Sequence, residues 1–250
     1  MKSILNKIAI LLMLTLGISL TLLSAVFSSS LLAILGTAIA FWCAILLYIT
    51  PTKHVPLTLL NATADAANIE RILSEHNITQ KGIYLPPKNL ADIESSLIFI
   101  PEKPGQSLPS REESTIQKLK ARSQEGIFIT PPGFALSKLF EKEIGTDFIK
   151  IDLKKLQEKL SWLLVENMGL AENVEFQIGS NKITIHITNN VFIGICQQTR
   201  KLPLTHVAVG CLLTSAIACA LAKTTGKPII IAEEKQDQKT TIIEYHLLEN

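Results

Sequence analysis

From Ile8 to Thr52 the chain runs forty-five residues without one Asp, Glu, Lys or Arg. A hydrocarbon core of roughly 30 Å takes about 20 apolar residues as helix, so the run predicts two membrane spans, near 8–27 and 31–49, folded back at Ser28-Ser29-Ser30. Within them Gly17, Thr21 and Ala25 recur every four residues, and so do Gly36, Ala40 and Ala44. Folding at Ser29 sets these small-residue ridges at similar depths, where they let two helix backbones approach closely. Association of two copies through the same ridges, giving a homo-oligomer, is the other use of such a pattern. A cleaved signal peptide is the competing reading of the first segment, with Lys2 and Lys7 ahead of an apolar stretch. Against it, the stretch is long, a second follows at once, and Ser24-Ala25-Val26 makes a poor cleavage site.

Past Pro51 the pattern becomes that of a domain with one wet and one dry side. Leu60, Ala64, Ala67, Ile69 and Ile72 fall near one face of a helix predicted over 57–76. Gly82 to Leu85 and Ser96 to Ile100 read as short strands closed by prolines, and 102–110 as a mobile loop rich in Pro, Gly, Gln and Ser. Ser110 and Glu113 have capping-box spacing for a short helix to Arg122. The segment Gly126-Ile127-Phe128-Ile129-Thr130-Pro131-Pro132 echoes Gly82-Ile83-Tyr84-Leu85-Pro86-Pro87. Either two strand-to-helix turns share a proline device, or two related loops flank a ligand cleft.

Helices are predicted over 133–143 and 153–168, the second with Leu156, Leu160, Leu163, Leu164 and Met168 spaced for burial. The period then drops to two: Val174 to Ile178 and Ile183 to Ile187 alternate around Gly179-Ser180-Asn181, a half-buried hairpin with His186 on its wetter face. The run 202–222 has no Lys, Arg, Asp or Glu and is long enough for a third span. Its His206, Thr205, Thr214 and Ser215, and the stop at Gly226, favour one central helix buried on a sheet. Pro228 to Ala232 and Thr240 to Leu248 are strands, with Glu233 to Lys239 as a charged turn between them. The fold class expected is therefore α+β: a two-helix transmembrane hairpin over 1–50, then a cytosolic domain over 51–250 with mainly antiparallel sheet packed against helices.

Charge sets the expected orientation. Lys2, Lys7 and the amino terminus precede the first span and Lys53 follows the second, so both termini belong in the cytoplasm. All 22 acidic residues and 22 of the 24 basic ones lie beyond residue 50, a formal net of zero. A nucleic-acid partner wants clustered Lys and Arg, and is not expected; Lys118, Lys120 and Arg122 read as a solvated helix face. Among the four cysteines, Cys43, Cys196, Cys211 and Cys219, no pair has C-x-x-C spacing, so no metal site is expected and free thiols are.

No phosphate-loop, dinucleotide, zincin or serine-hydrolase motif occurs, so no catalytic residue and no cofactor is assigned. A thiol-dependent enzyme using Cys211 or Cys196 is the rival reading, with His206 and His186 as nearby imidazoles. Cys211 and His206, five apart on one helix, would lie about 140° apart around it and form no dyad. Asp147 with Asp152, and Glu141 with Glu143, read as helix-end charges before they read as catalytic pairs.

The hairpin, the two G-I-[YF]-[LI] segments with their prolines, and Gly210-Cys211, Ser215-Ala216, Ala220-Leu221-Ala222 and Thr225-Gly226-Lys227-Pro228 together resemble uncharacterised archaeal membrane-anchored proteins grouped as domains of unknown function. A small-residue helix before a terminal hairpin is more faintly similar to the ligand-binding domain named after the vinyl reductases, whose cysteine and glycine pattern the last strand here does not carry. Neither resemblance assigns a residue a role. The expectation is a membrane-tethered binding domain, with lipid and a protein or small ligand as partners.

Overall fold

The computed structural model describes residues 2–49, 61–87, 96–104, 126–237 and 239–249, with side chains from residue 10 to 46 and from 65 onward within those ranges. The start of the helix predicted from 57, most of the 102–110 loop and the 110–122 helix lie outside the described residues. The chain divides into two compact units, Met1–His54 and Val55–Asn250.

The first unit is α1 (Lys2–Phe27) and α2 (Ser30–Ile49), joined at Ser28, whose φ of 49° turns the chain. At 1.5 Å per residue, helices of 26 and 20 residues measure roughly 39 and 30 Å. The small residues do let the backbones meet: a Cβ on Gly17 would lie 2.8 Å from Ala40 N, and one on Gly36 2.7 Å from Thr21 N. Ala25 and Ala44 are exposed, so the ridges close against each other only over Gly17, Thr21, Gly36 and Ala40. Gly17→Ile and Gly36→Ile are accordingly expected to force the helices apart, read as faster amide hydrogen exchange along both in detergent micelles, while Ala25→Ile leaves exchange unchanged.

The second unit begins with α3 (Asn61–Glu75), β1 (Ile83–Leu85), β2 (Leu97–Pro101) and β3 (Gly126–Ile129). Then come α4 (Phe134–Ile144), a 3-10 turn at Phe148–Lys150, and α5 (Leu153–Trp162), which widens into a π turn at Leu163–Asn167. That π turn, where Met168 N reaches Leu163 O, replaces the α-helix expected to 168 and keeps Leu163 and Leu164 both buried. The hairpin β4 (Asn173–Ile178) and β5 (Lys182–Thr188) follows as its alternation predicts. The chain ends with α6 (Ile193–Arg200), α7 (Pro203–Val209), α8 (Leu212–Thr225), β6 (Ile229–Asp237) and β7 (Thr240–Leu247).

The seven strands form one sheet in the order β3-β2-β1-β6-β7-β5-β4, antiparallel at every pairing. Its inner face, with Tyr84, Ile98, Ile127, Ile185, Ile229 and Ile243, shares one core with Phe140, Leu156, Leu160 and α8. Ile83, Leu85 and Phe99 make a smaller apolar cluster of their own.

Two expectations are corrected here. The run 202–222 is not one helix but α7 and α8, broken at Gly210 (φ 64°, ψ −167°), a backbone region open essentially to glycine alone. Counted from Pro203 to Thr225 it is apolar enough to cross a membrane, yet 83% of the window is buried inside the protein, which makes it core and not a third span. The charged turn Glu233 to Lys239 is also not a turn: Glu233 to Asp237 extend β6, whose register shifts between Ile231 and Glu233. That bulge reverses the phase of the strand. Without it Glu233 would follow Ile229 and Ile231 inward; with it Glu233 is exposed and Glu234 faces the helices.

Candidate functional site

The break at Gly210 and the bulge in β6 converge on one buried cluster. Gly210 leaves Cys211 extended at the N-cap of α8, and Cys211 is bonded as a disulfide to Cys196 of α6, with Cα atoms 5.1 Å apart. Thr214, one turn into α8, lies with its Oγ1 3.1 Å from Cys211 Sγ and donates a 2.6 Å hydrogen bond to Glu234 Oε2. Cys211 N also points to Glu234 Oε2, at 3.4 Å, so a carboxylate from the sheet stands at the positive end of α8. On the other oxygen, Arg200 Nη2 sits at 3.1 Å and His206 Nε2 at 3.5 Å. Glu234 has 1% of its side chain exposed, whereas Arg200 and His206 are partly open to solvent and form the outer side of the cluster.

The surrounding fold clamps this arrangement. Tyr84 of β1 donates to Val209 O at 2.6 Å and Tyr245 of β7 to Thr214 O at 2.9 Å, fixing both sides of the helix break. Glu70 of α3 accepts from Thr205 N at 2.7 Å, capping α7 from a neighbouring element. Asn190 accepts from Phe192 N and donates to Thr241, which sets the start of α6. A Cβ on Gly210 would meet Ile231 Cδ1 at 2.9 Å, so the position is closed by packing as well as by φ. A disulfide across 15 positions of sequence adds about 3 kcal/mol on the chain-entropy account.

Burial alone would push the Glu234 carboxyl upward. The hydrogen bonds from His206 and Thr214 and the charges of His206 and Arg200 outweigh it and hold the pKa below the ordinary glutamate value. Cys219, also on α8, is a buried thiol pushed up to about 12 by loss of solvation.

The expectation of free thiols is thus corrected for Cys196 and Cys211, while Cys43 and Cys219 are free and buried. No cysteine among the described residues is both free and exposed, which is the setting a nucleophilic thiol requires. His206 and Cys211 are not 140° apart around one helix: His206 stands on α7 and Cys211 at the N-cap of α8. His206 reaches Glu234, and Glu234 reaches the Cys211 backbone. His186 pairs in register with Glu175 and Ile242 and faces away from the buried Ile185 and Ile187. The suspected carboxylate pairs are structural. Asp152 caps α5 and Asp147 the 3-10 turn, Glu143 is exposed, and Glu141 and Asp147 both hold Lys223, at 2.6 and 2.9 Å.

Glu234 is the functional candidate that sequence reasoning missed. As a donor set, Cys196 Sγ, Cys211 Sγ and a Glu234 oxygen lie within 4.8 Å of one another. Apart from this cluster, a cleft of about 430 Å³ runs between α3 and the loop from β3 to α4, lined by Asp65, Asn68, Ile72, Ile129, Pro132 and Phe134. Of the two echoing proline loops, only the second lines it among the described residues.

The chain belongs to the family described as Domain of unknown function (DUF7982), whose model matches residues 4–246 and so spans both units. That bears out the expectation of an uncharacterised family covering nearly the whole chain; it carries no source organism and no link to the vinyl-reductase domains. No curated protein and no solved structure matches.

Proposed function

We propose that this member of the family is a membrane-tethered binding domain, held at the cytoplasmic face of the bilayer by α1 and α2. The observation that carries the reading is the surface of the hairpin. Of nineteen large hydrophobic side chains exposed among the described residues, fifteen lie on α1 and α2, among them Leu12, Met13, Leu22, Val26, Phe27, Leu31, Ile34, Phe41 and Trp42. Water does not tolerate so contiguous an apolar surface on a stable monomer, whereas lipid is its natural solvent. The polar atoms agree. The hydroxyls of Thr15, Ser19, Thr21, Ser24 and Thr37 each donate to a carbonyl three or four residues back in their own helix, so these five donors ask nothing of water.

The cytoplasmic placement rests on Lys2, Lys7 and Lys53 flanking a hairpin whose turn is uncharged. Binding, and not thiol catalysis, is favoured by the absence of a free exposed thiol among the described residues and by a cleft that is mostly apolar, with Asp65, Asn68 and Thr130 among its lining residues. In membranes washed with alkaline carbonate, the full chain is expected to stay with the lipid, and a chain starting at Val55 to be released. Release of the full chain by the wash contradicts the tether.

A further inference from the structure

We propose that in the dithiol state Cys196, Cys211 and Glu234 bind a divalent cation of the zinc type, and that the disulfide is the oxidised form that no longer binds it. A disulfide is neutral and asks for no charged neighbour, yet the register shift in β6 turns the buried Glu234 carboxylate inward, to within 4.8 Å of both sulfurs. A nucleophilic thiolate wants positive surroundings, and a carboxylate beside it works against activation. A cation wants this set of donors. Two thiolates and a carboxylate carry three negative charges, which a divalent ion and the Arg200 guanidinium balance in a site without bulk water.

The donor chemistry narrows the ion. Paired thiolates select against magnesium and calcium, and a mixed sulfur and oxygen set suits tetrahedral zinc. Zinc–sulfur bonds of about 2.3 Å and zinc–oxygen bonds of about 2.0 Å need donors roughly 3.5–3.8 Å apart, so once the S–S bond opens the sulfurs part and the carboxylate oxygen closes in, each by a modest side-chain movement. Cys211 stands at the N-cap of α8, where the helix end favours the thiolate form a ligand requires. His206, 3.5 Å from Glu234, and Arg200 are the partly exposed members of the cluster.

Oxidation balances without a further partner beyond a small disulfide. The two ligating thiolates give up two electrons and form the Cys196–Cys211 bond; the small disulfide takes them and leaves as two thiolates, and the cation departs with two positive charges.

The test uses the full chain in detergent micelles, reduced with a phosphine under anaerobic conditions and freed of reductant. Titration with cobalt(II) is expected to give one ion per chain, a near-ultraviolet thiolate-to-cobalt charge-transfer band and intense tetrahedral visible bands, all bleached by zinc. Cys196→Ser should remove most of the charge-transfer intensity. Glu234→Gln, which keeps the side-chain shape, should weaken binding at least tenfold with the fold intact by circular dichroism. Adding a small disulfide should release the ion and restore the Cys196–Cys211 bond. A reduced wild-type chain without the charge-transfer band, bands undiminished in Cys196→Ser, or a pair that resists reduction in the folded chain each overturns the proposal. The readout is independent of membrane retention, so the cation site and the tether fail separately.

Discussion

Gly133→Ala is expected to cost about 4 kcal/mol or more, at the extreme end of single substitutions, and to lower the melting temperature by roughly 10 °C or prevent folding. Gly133 has ordinary φ, so the penalty is one of space. An added Cβ would lie 2.0 Å from Ala216 N and 2.5 Å from Ser215 C, backbone atoms that cannot swing aside. Gly133 N also donates to the buried Ser215 Oγ at 3.0 Å, so separating α4 from α8 takes the acceptor from that N–H as well. Gly194→Ala is the informative contrast. It sits inside α6 with nothing within 4 Å of the added carbon, and alanine's better helix propensity should stabilise the domain by about 0.5–1 kcal/mol. Urea unfolding of the two variants beside the wild type reads both signs.

Glu234→Leu should destabilise the domain by about 3 kcal/mol, the low end for breaking a buried ion pair, because Arg200 keeps some solvent. It leaves Arg200, Thr214 Oγ1 and the Cys211 amide without their shared acceptor. The pH dependence follows from the same contacts. Glu234 titrates lower in the folded chain than its ordinary value, so its contribution is complete above the unfolded-state pKa and is lost as pH falls through the folded one. Wild type should therefore lose stability more steeply than Glu234→Leu on acidification below roughly pH 4.3, and the two unfolding curves should draw together. A gap that stays constant down to pH 2 would remove the carboxylate from this account.

Where one periodicity held over several residues, the sequence announced the element. Val174 to Ile178 and Ile183 to Ile187 alternate, and they pair as β4 and β5, with Val174 opposite Ile187 and Ile178 opposite Ile183. Leu156 and Leu160 mark the buried side of α5, and the two glycine-led echoes become β1 and β3, on either side of β2. The candidate site was hidden because each of its parts lacks a period. Residues 202–222 are apolar on all sides, so the break at Gly210 leaves no trace in the pattern, although a glycine inside such a run, with Pro203 near its start, was the available signal. Glu233 to Asp237 are polar at every position, and five polar residues in a row read as a turn. Only the pairing with β7 shows that they are a strand with a bulge. Cys196 and Cys211 meet because α6 and α7 fold back across 15 positions, a separation that signals nothing by itself.

The tether is tested most directly in sealed vesicles of known orientation. Protease outside inverted vesicles, where the cytoplasmic face is exposed, is expected to digest the chain from about residue 50 onward and leave a protected fragment holding α1 and α2. The same protease outside right-side-out vesicles is expected to leave the chain whole. Digestion of the domain in right-side-out vesicles, with protection in inverted ones, would contradict the account.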